Sequence, residues 1–393
     1  MMPLSQSFQL PDLLGILNPL VNAIELRTNR FCRFATDTSE KWFLEEANCL
    51  SQAELSYLRS SKFGLLAALC FPTCDAPQLR LVTDFLTILF YSNMRSFSST
   101  GHSISDTSFQ MAWPMTEQKL SNDESPTPFT QRETGLDILK NHVLLKHIIN
   151  PRISRLVLAA SDAWNSRFSH SVRLFQAAHT QVMQSHRENI IPTLEEYREL
   201  RREMNGSSMI LDLSELLEIT QFPELKGEDA QNLLNLKQIA FDIIAWSMDV
   251  ASYQFDLAQG NEQNLVAIIM HHKKLSLQGA VNLTGNMIKD AFANFCSLER
   301  ALLRGVDPKS VVGLPVLSWV WTSVAAGGNS SSETVRDETF ITVQNYITRL
   351  KDCMVGTINW LYETELYFGK KGSEVRTFGW VFINTTSVDE HTS

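Results

Sequence analysis

The chain has 393 residues, 44% of them apolar and 20% charged, the balance of a globular protein able to bury a large core. Lys and Arg total 34 against 43 Asp and Glu, a formal net charge of −9, which argues against the basic face that a nucleic-acid binder needs. Of the six cysteines only Cys70 and Cys74 are close, and no second pair with metal-ligand spacing answers them, so free thiols in a reducing compartment are expected.

The N-terminal run MMPLSQSFQLPDLLGILNPL has no early Lys or Arg, and Pro11 and Pro19 interrupt its apolar residues. No apolar stretch approaches the length that crosses a bilayer. A cytoplasmic protein that does not span a membrane is the expectation. Apolar residues then recur at three- and four-residue steps in SQAELSYLRSSKFGLLAALC (51–70) and in APQLRLVTDFLTILFYSNMRSF (76–97), where Asp75-Ala76-Pro77 signals a helix start. Residues 96–135 are rich in Ser, Thr and Pro and read as a long loop. Pro192-Thr193 with Glu195 and Glu196 opens the next helix, TLEEYRELRREM, which Asn205-Gly206 should cap. Arg198, Arg201 and Arg202 lie on it. Spacing alone favours salt bridges to Glu195, Glu196, Glu199 and Glu203, although a forked guanidinium also suits phosphate oxygens.

The segment NLLNLKQIAFDIIAWSMDVASYQFDL (232–257) is helical and almost wholly apolar, yet it carries Asp249, Ser252 and Asp256 on one stripe at i, i+3 and i+7. Hard oxygen donors of this kind suit Mg²⁺, while a solvated helix edge is the commoner explanation. A polar turn at 260–263 leads into another helix. A second loop is expected near 304–337, with the apolar run LPVLSWVW packing on something. The last helical pattern, FITVQNYITRLKDCMVGTINWLYETELYF, ends on Tyr367 before Gly369, Lys370 and Lys371. Those lysines oppose the helix dipole or reach an anion. Strand-like alternation with tight turns is nearly absent, so the chain reads as all-α, a single helical bundle over residues 1–393.

Four segments in order, ALCFPTCDAPQLRLVTDFLTILF, EEYRELRREMNG, FDIIAWSMDVASYQFDLAQGNEQNLVAIIMH and NWLYETELYFGKKG, resemble the class I terpene synthases of fungi from about Pro11 to Phe382. The resemblance implies a bundle enclosing a central apolar cavity, where three Mg²⁺ ions and a few basic residues grip a prenyl diphosphate. Pyrophosphate leaves, and the allylic cation cyclises against aromatic walls. Phe85, Phe90, Tyr91, Trp246 and Trp360 are the residues expected to line that cavity.

Carried over residue by residue, the family pattern is incomplete. Its aspartate-rich motif falls on Asn93-Met94-Arg95-Ser96-Phe97, which holds no carboxylate. Its Asn-Asp-x-x-Ser-x-x-x-Glu motif falls on Met248 to Asp256: Ser252 matches, Asp256 is one methylene short, and a soft thioether replaces the first ligand. An Arg-Tyr pair becomes Leu366-Tyr367. Arg202 takes the place of the arginine that senses the diphosphate, with Asn205 and Gly206 relaying its contact. The resemblance thus assigns Arg202 and Tyr367 to catalysis, Arg202, Asn205, Gly206 and Tyr367 to diphosphate binding, and Asn93, Asp249, Ser252 and Asp256 to metal.

The function expected is that of a terpene cyclase, a carbon–oxygen lyase of specialised metabolism. It would act on a prenyl diphosphate, farnesyl diphosphate first, with a Mg²⁺ set reduced below three ions or absent. The alternatives are a repurposed cyclase working without metal on a terpenoid intermediate beside a partner terpene synthase, and a non-catalytic terpenoid-binding protein.

Overall fold

The computed structural model describes residues 6–18, 26–45, 52–98, 134–140, 145–148, 153–157, 160–188, 190–217, 219–258, 261–307 and 330–383. The helices used below are α1 (Cys32–Glu45), α2 (Gln52–Ser61), α3 (Phe63–Cys70), α4 (Ala76–Ser98), α5 (Asp162–Arg187), α6 (Leu194–Met204) and α7 (Ser207–Leu216). They continue with α8 (Gly227–Ala258), α9 (Leu265–Lys273), α10 (Leu277–Val306), α11 (Ser330–Glu363), α12 (Glu365–Phe368) and α13 (Gly372–Phe378).

Local chemistry sets several of these limits. Thr193 accepts from the Glu196 backbone while the Glu196 carboxylate accepts from the Thr193 backbone, a reciprocal cap that starts α6. The 51–70 pattern, read as one helical segment, divides at Lys62, which adopts a left-handed φ of 54°. The far end of the chain docks at this break: the Ser61 carbonyl accepts from the Trp360 indole and from Thr364, and the Lys62 carbonyl, which also accepts from Leu65 and Leu66, takes the indole as well. Likewise the C-terminal pattern stops at Glu363, where Thr364 caps the short α12 that carries Tyr367.

Every residue of α8 from Ala240 to Tyr253 is buried, so this helix is wrapped on all sides. It packs on α10, α11, α6 and α9. The expected all-α fold is observed, with one addition: strand β1 (Gln6–Gln9) pairs antiparallel with β2 (Trp380–Ile383), Gln6 opposite Ile383 and Gln9 opposite Trp380. Helices reach into the edges of both spans read as loops, 96–135 and 304–337: α4 runs to Ser98, α10 to Val306, and α11 begins at Ser330. Their central parts, including LPVLSWVW, lie outside the described residues. Among the described residues no helix is long and apolar enough to cross a membrane.

His179 on α5 supplies a pH-dependent element of stability. It is buried against Phe175, and burial pushes its pKa from 6.5 down to about 4, with Arg201 adding to the shift and a Met204 backbone hydrogen bond opposing it. The imidazole is therefore neutral in the fold and takes up a proton on unfolding as pH falls below 6.5. Its contribution is complete above pH 6.5 and lost as pH falls through about 4. The loss expected between those limits is about 3 kcal/mol. Urea unfolding at pH 7 and pH 4.5 should show that loss, and His179→Leu should flatten it.

Candidate active site at the end of the central helix

Three helices bring the polar residues of α8 together. The two oxygens of Asp249 are both engaged: Arg201 Nε donates to one at 2.7 Å, and the Tyr197 hydroxyl donates to the other at 2.7 Å. The Leu265 backbone N–H adds a third donor at 3.2 Å. One turn on, the Ser252 hydroxyl donates to Asp256 at 2.6 Å, and the Asn264 amide reaches the same Asp256 oxygen at 2.8 Å. Asn264 also caps α9, accepting from Val266, so the turn that starts α9 is tied to the polar end of α8.

Burial pushes Asp256 up to about 6, with the charge of Asp249 adding and the Ser252 and Asn264 hydrogen bonds opposing. Burial alone would weaken the charge on Arg201, but Asp249 beside it more than compensates and holds the guanidinium firmly protonated. Tyr367 faces the same cluster. Burial raises its hydroxyl well above the ordinary range, and the neighbouring Tyr57 and Asp256 raise it further.

An apolar cavity adjoins the cluster and encloses about 60 Å³. Phe90, Phe241, Ile244, Met248, Cys70 and Asn205 are among its walls. A pocket for a drug-sized ligand holds roughly 300 Å³ or more, so a long terpenoid requires side chains such as Phe90 and Met248 to move. Phe90 contacts Trp360 at 5.9 Å between ring centres, and Trp360 contacts Tyr367 at 6.0 Å. An aromatic chain thus joins cavity and polar cluster. Of the other residues expected on the walls, Phe85 and Trp360 are buried in the core without lining the cavity. Trp246 turns to α6, its ring 5.1 Å from the Arg198 guanidinium, because Ile244 and Met248 hold the opposite face of α8. The Tyr91 side chain lies outside the described residues.

The assigned residues are gathered unevenly. Asp249, Ser252, Asp256 and Tyr367 come together. Asn205 bridges cluster and cavity, because it lines the cavity while its Oδ1 accepts from Arg201 Nη1. Gly206 holds the break between α6 and α7 at φ 63°, and a Cβ there would meet Leu89 Cδ2 at 2.6 Å. Gly206→Ala should therefore cost about 1–3 kcal/mol, readable as a lowered urea midpoint with an unchanged slope. Arg202 stands apart: Nε and Nη2 fork onto Asp242, both at 2.8 Å, two turns of α8 from Asp249. Arg198 also approaches Asp242, at 3.9 Å. The arginines of α6 therefore pair with α8, not with the glutamates of their own helix as spacing suggests. Asn93 lies in the last turns of α4, with its side chain outside the described residues. Asp84, too far along α4 to replace it, is held by Arg80 and Ser39.

The sequence points to Arg201 only as one of three arginines on its helix, and Tyr197 and Asn264 are the cluster residues it does not single out. The available signals were Tyr197 and Arg201 at i, i+4 on one face, and an Asn immediately before the apolar run LVAII.

The residues present do not fit a set of Mg²⁺ ions. Protein N–H and O–H donors occupy both oxygens of Asp249 and the Asp256 oxygen nearest Ser252, and the side chain facing the cavity one turn before Ser252 is a thioether. Among the described residues no group of three His, Cys, Asp or Glu side chains could hold a metal.

Residues 135–294 match the family model described as terpene synthase family 2, C-terminal metal binding. A sesquiterpene synthase of Cyclocybe aegerita is 28% identical over 93% of this chain and 90% of that protein. Sesquiterpene synthase 1 of Postia placenta is 27% identical over 90% of this chain and 89% of its own length. The crystal structure of α-eudesmol synthase aligns with a TM-score of 0.59 at 14% identity, covering 87% of this chain and 97% of that one. The bundle is the all-α fold of class I terpene synthases. With the sequence matches added, the chain is similar to the sesquiterpene synthases of fungi over most of its length.

Proposed function

We propose that the protein is a terpene cyclase that takes a prenyl diphosphate, with farnesyl diphosphate as the substrate to test first. The observation that carries this reading is the junction of an apolar cavity with a buried cluster of Arg201, Asp249, Asp256 and Tyr367, through Asn205 and the aromatic chain from Phe90 to Tyr367. The names of the relatives support the substrate class. In this scheme the cavity excludes water, and the face of Phe90 offers its negative quadrupole to a carbocation. Arg201 and Tyr367 supply positive charge and a hydroxyl at the polar end, where pyrophosphate would sit.

Because the carboxylates are already answered by protein donors, a second reading has its own support: turnover of a terpenoid intermediate without metal, beside a partner synthase. One experiment separates the two. Purified protein is incubated with farnesyl diphosphate, with Mg²⁺ or with EDTA, and both pyrophosphate and volatile products are followed. Release that requires Mg²⁺ supports the first reading with a small metal set. Turnover of a supplied terpenoid that ignores the chelator supports the second, and a folded protein inert in every arm refutes both.

A further inference from the structure

The cavity wall contains one polar group with nothing to bond. Asn205 is 8% exposed, and its amide nitrogen is buried with no hydrogen-bond partner among the described residues. The orientation of this amide is set by Arg201, whose guanidinium donates to Oδ1; turning the amide over would set N–H against N–H. Its position is set by the chain. Asn205 is the last residue before the left-handed Gly206, so it sits at the break between α6 and α7, where the cavity wall changes helix. Phe90, Phe241, Ile244 and Met248 make up much of the surrounding wall, and neither hydroxyl that lines it, Ser207 nor Thr357, accepts from this donor.

The geometry points to Asn205 as a specificity-determining residue that selects an oxygen-bearing terpenoid over the matching hydrocarbon. The inference rests on the reading of the cavity as a terpenoid site. An occupant with an ether, carbonyl or hydroxyl oxygen completes the hydrogen bond of Nδ2. A hydrocarbon of the same shape instead seals a bare N–H into an apolar space, or expels a water that had satisfied it. Leaving a buried donor unpaired discriminates between ligands by about 10- to 100-fold. Sites built around a hydrogen bond reject the analogue that lacks it far better than apolar sites distinguish added bulk.

The test uses two probes built on the same fifteen-carbon skeleton, farnesyl methyl ether, which only accepts hydrogen bonds, and β-farnesene. Dissociation constants for the full chain are measured by quenching of tryptophan fluorescence. The ether is expected to bind about 10- to 100-fold more tightly. Asn205→Asp keeps the shape and the acceptor for Arg201 but removes the N–H, so the preference should fall to about unity while the affinity for β-farnesene stays within about twofold. Equal affinities in the unaltered protein, or a preference that survives Asn205→Asp, overturn the role of Asn205 and leave the terpenoid site standing. If neither probe binds a protein shown to be folded by circular dichroism, the reading of the cavity falls, and this inference with it.

Discussion

Arg201→Met should lower the free energy of unfolding by about 3–5 kcal/mol, the usual result of stripping one partner from a buried ion pair. Asp249 is 2% exposed and Arg201 14%, so neither charge has water to fall back on. Without the guanidinium, Asp249 keeps only the Tyr197 hydroxyl and the Leu265 N–H, and the Asn205 carbonyl loses its donor as well. Removing both charges should be gentler. Arg201→Met combined with Asp249→Leu should recover at least half of the loss, because no uncompensated charge then remains. A double-mutant cycle in urea makes the assignment of partners strict. The coupling between Arg201 and Asp249 should exceed about 1.5 kcal/mol, and that between Arg202 and Asp249 should stay below about 0.5 kcal/mol. Equal couplings for the two arginines would show that α6 does not present its side chains to α8 in this register.

The contrast between these neighbours shows where sequence reading stops. Adjacent residues on a helix point about 100° apart, so Arg201 and Arg202 must face different partners. Which partner each meets depends on how α6 crosses α8, a tertiary quantity with no local signature. Asp242 and Asp249, two turns apart on one face of α8, receive Arg202 and Arg201 respectively. The stripe of Asp249, Ser252 and Asp256 was legible as a periodicity, but not the fact that Asp249 leans onto α6 while Ser252 and Asp256 bond each other and Asn264. Helix limits fared better where they rest on neighbours in the chain, as with Thr193 and Glu196 or Asn205 and Gly206. The β1–β2 pair was invisible because its strands lie at opposite ends of the chain, with no turn between them to mark a hairpin. Cavity walls were legible only in part for a similar reason. Periodicity marks a position as buried, and on a helix buried all round it does not say which side faces the void.

Asn93→Asp together with Met248→Asn should raise Mg²⁺-dependent pyrophosphate release from farnesyl diphosphate by at least about tenfold. Positions 248, 252 and 256 follow one another at i, i+4 and i+8, so they form a row along α8 that slants past the cavity. Met248 already lines the cavity, one turn before the Ser252 and Asp256 pair. Its thioether presents a soft sulfur where a hard cation requires oxygen. An amide there supplies that oxygen without adding charge to the core, at a cost in stability of about 1–3 kcal/mol for the new buried polar group. Asn93→Asp gives the last turns of α4 a carboxylate, which a neutral amide replaces poorly beside a dication. Each change alone completes only one side, so the gain should be strongly non-additive, and the double variant should exceed the product of the singles. Metal affinity provides a reading independent of turnover. Mn²⁺ binding, followed by water proton relaxation, should tighten in the double variant in parallel with pyrophosphate release. A folded double variant with unchanged Mn²⁺ affinity and unchanged release would mean that residues 93 and 248 are not positions of metal ligands.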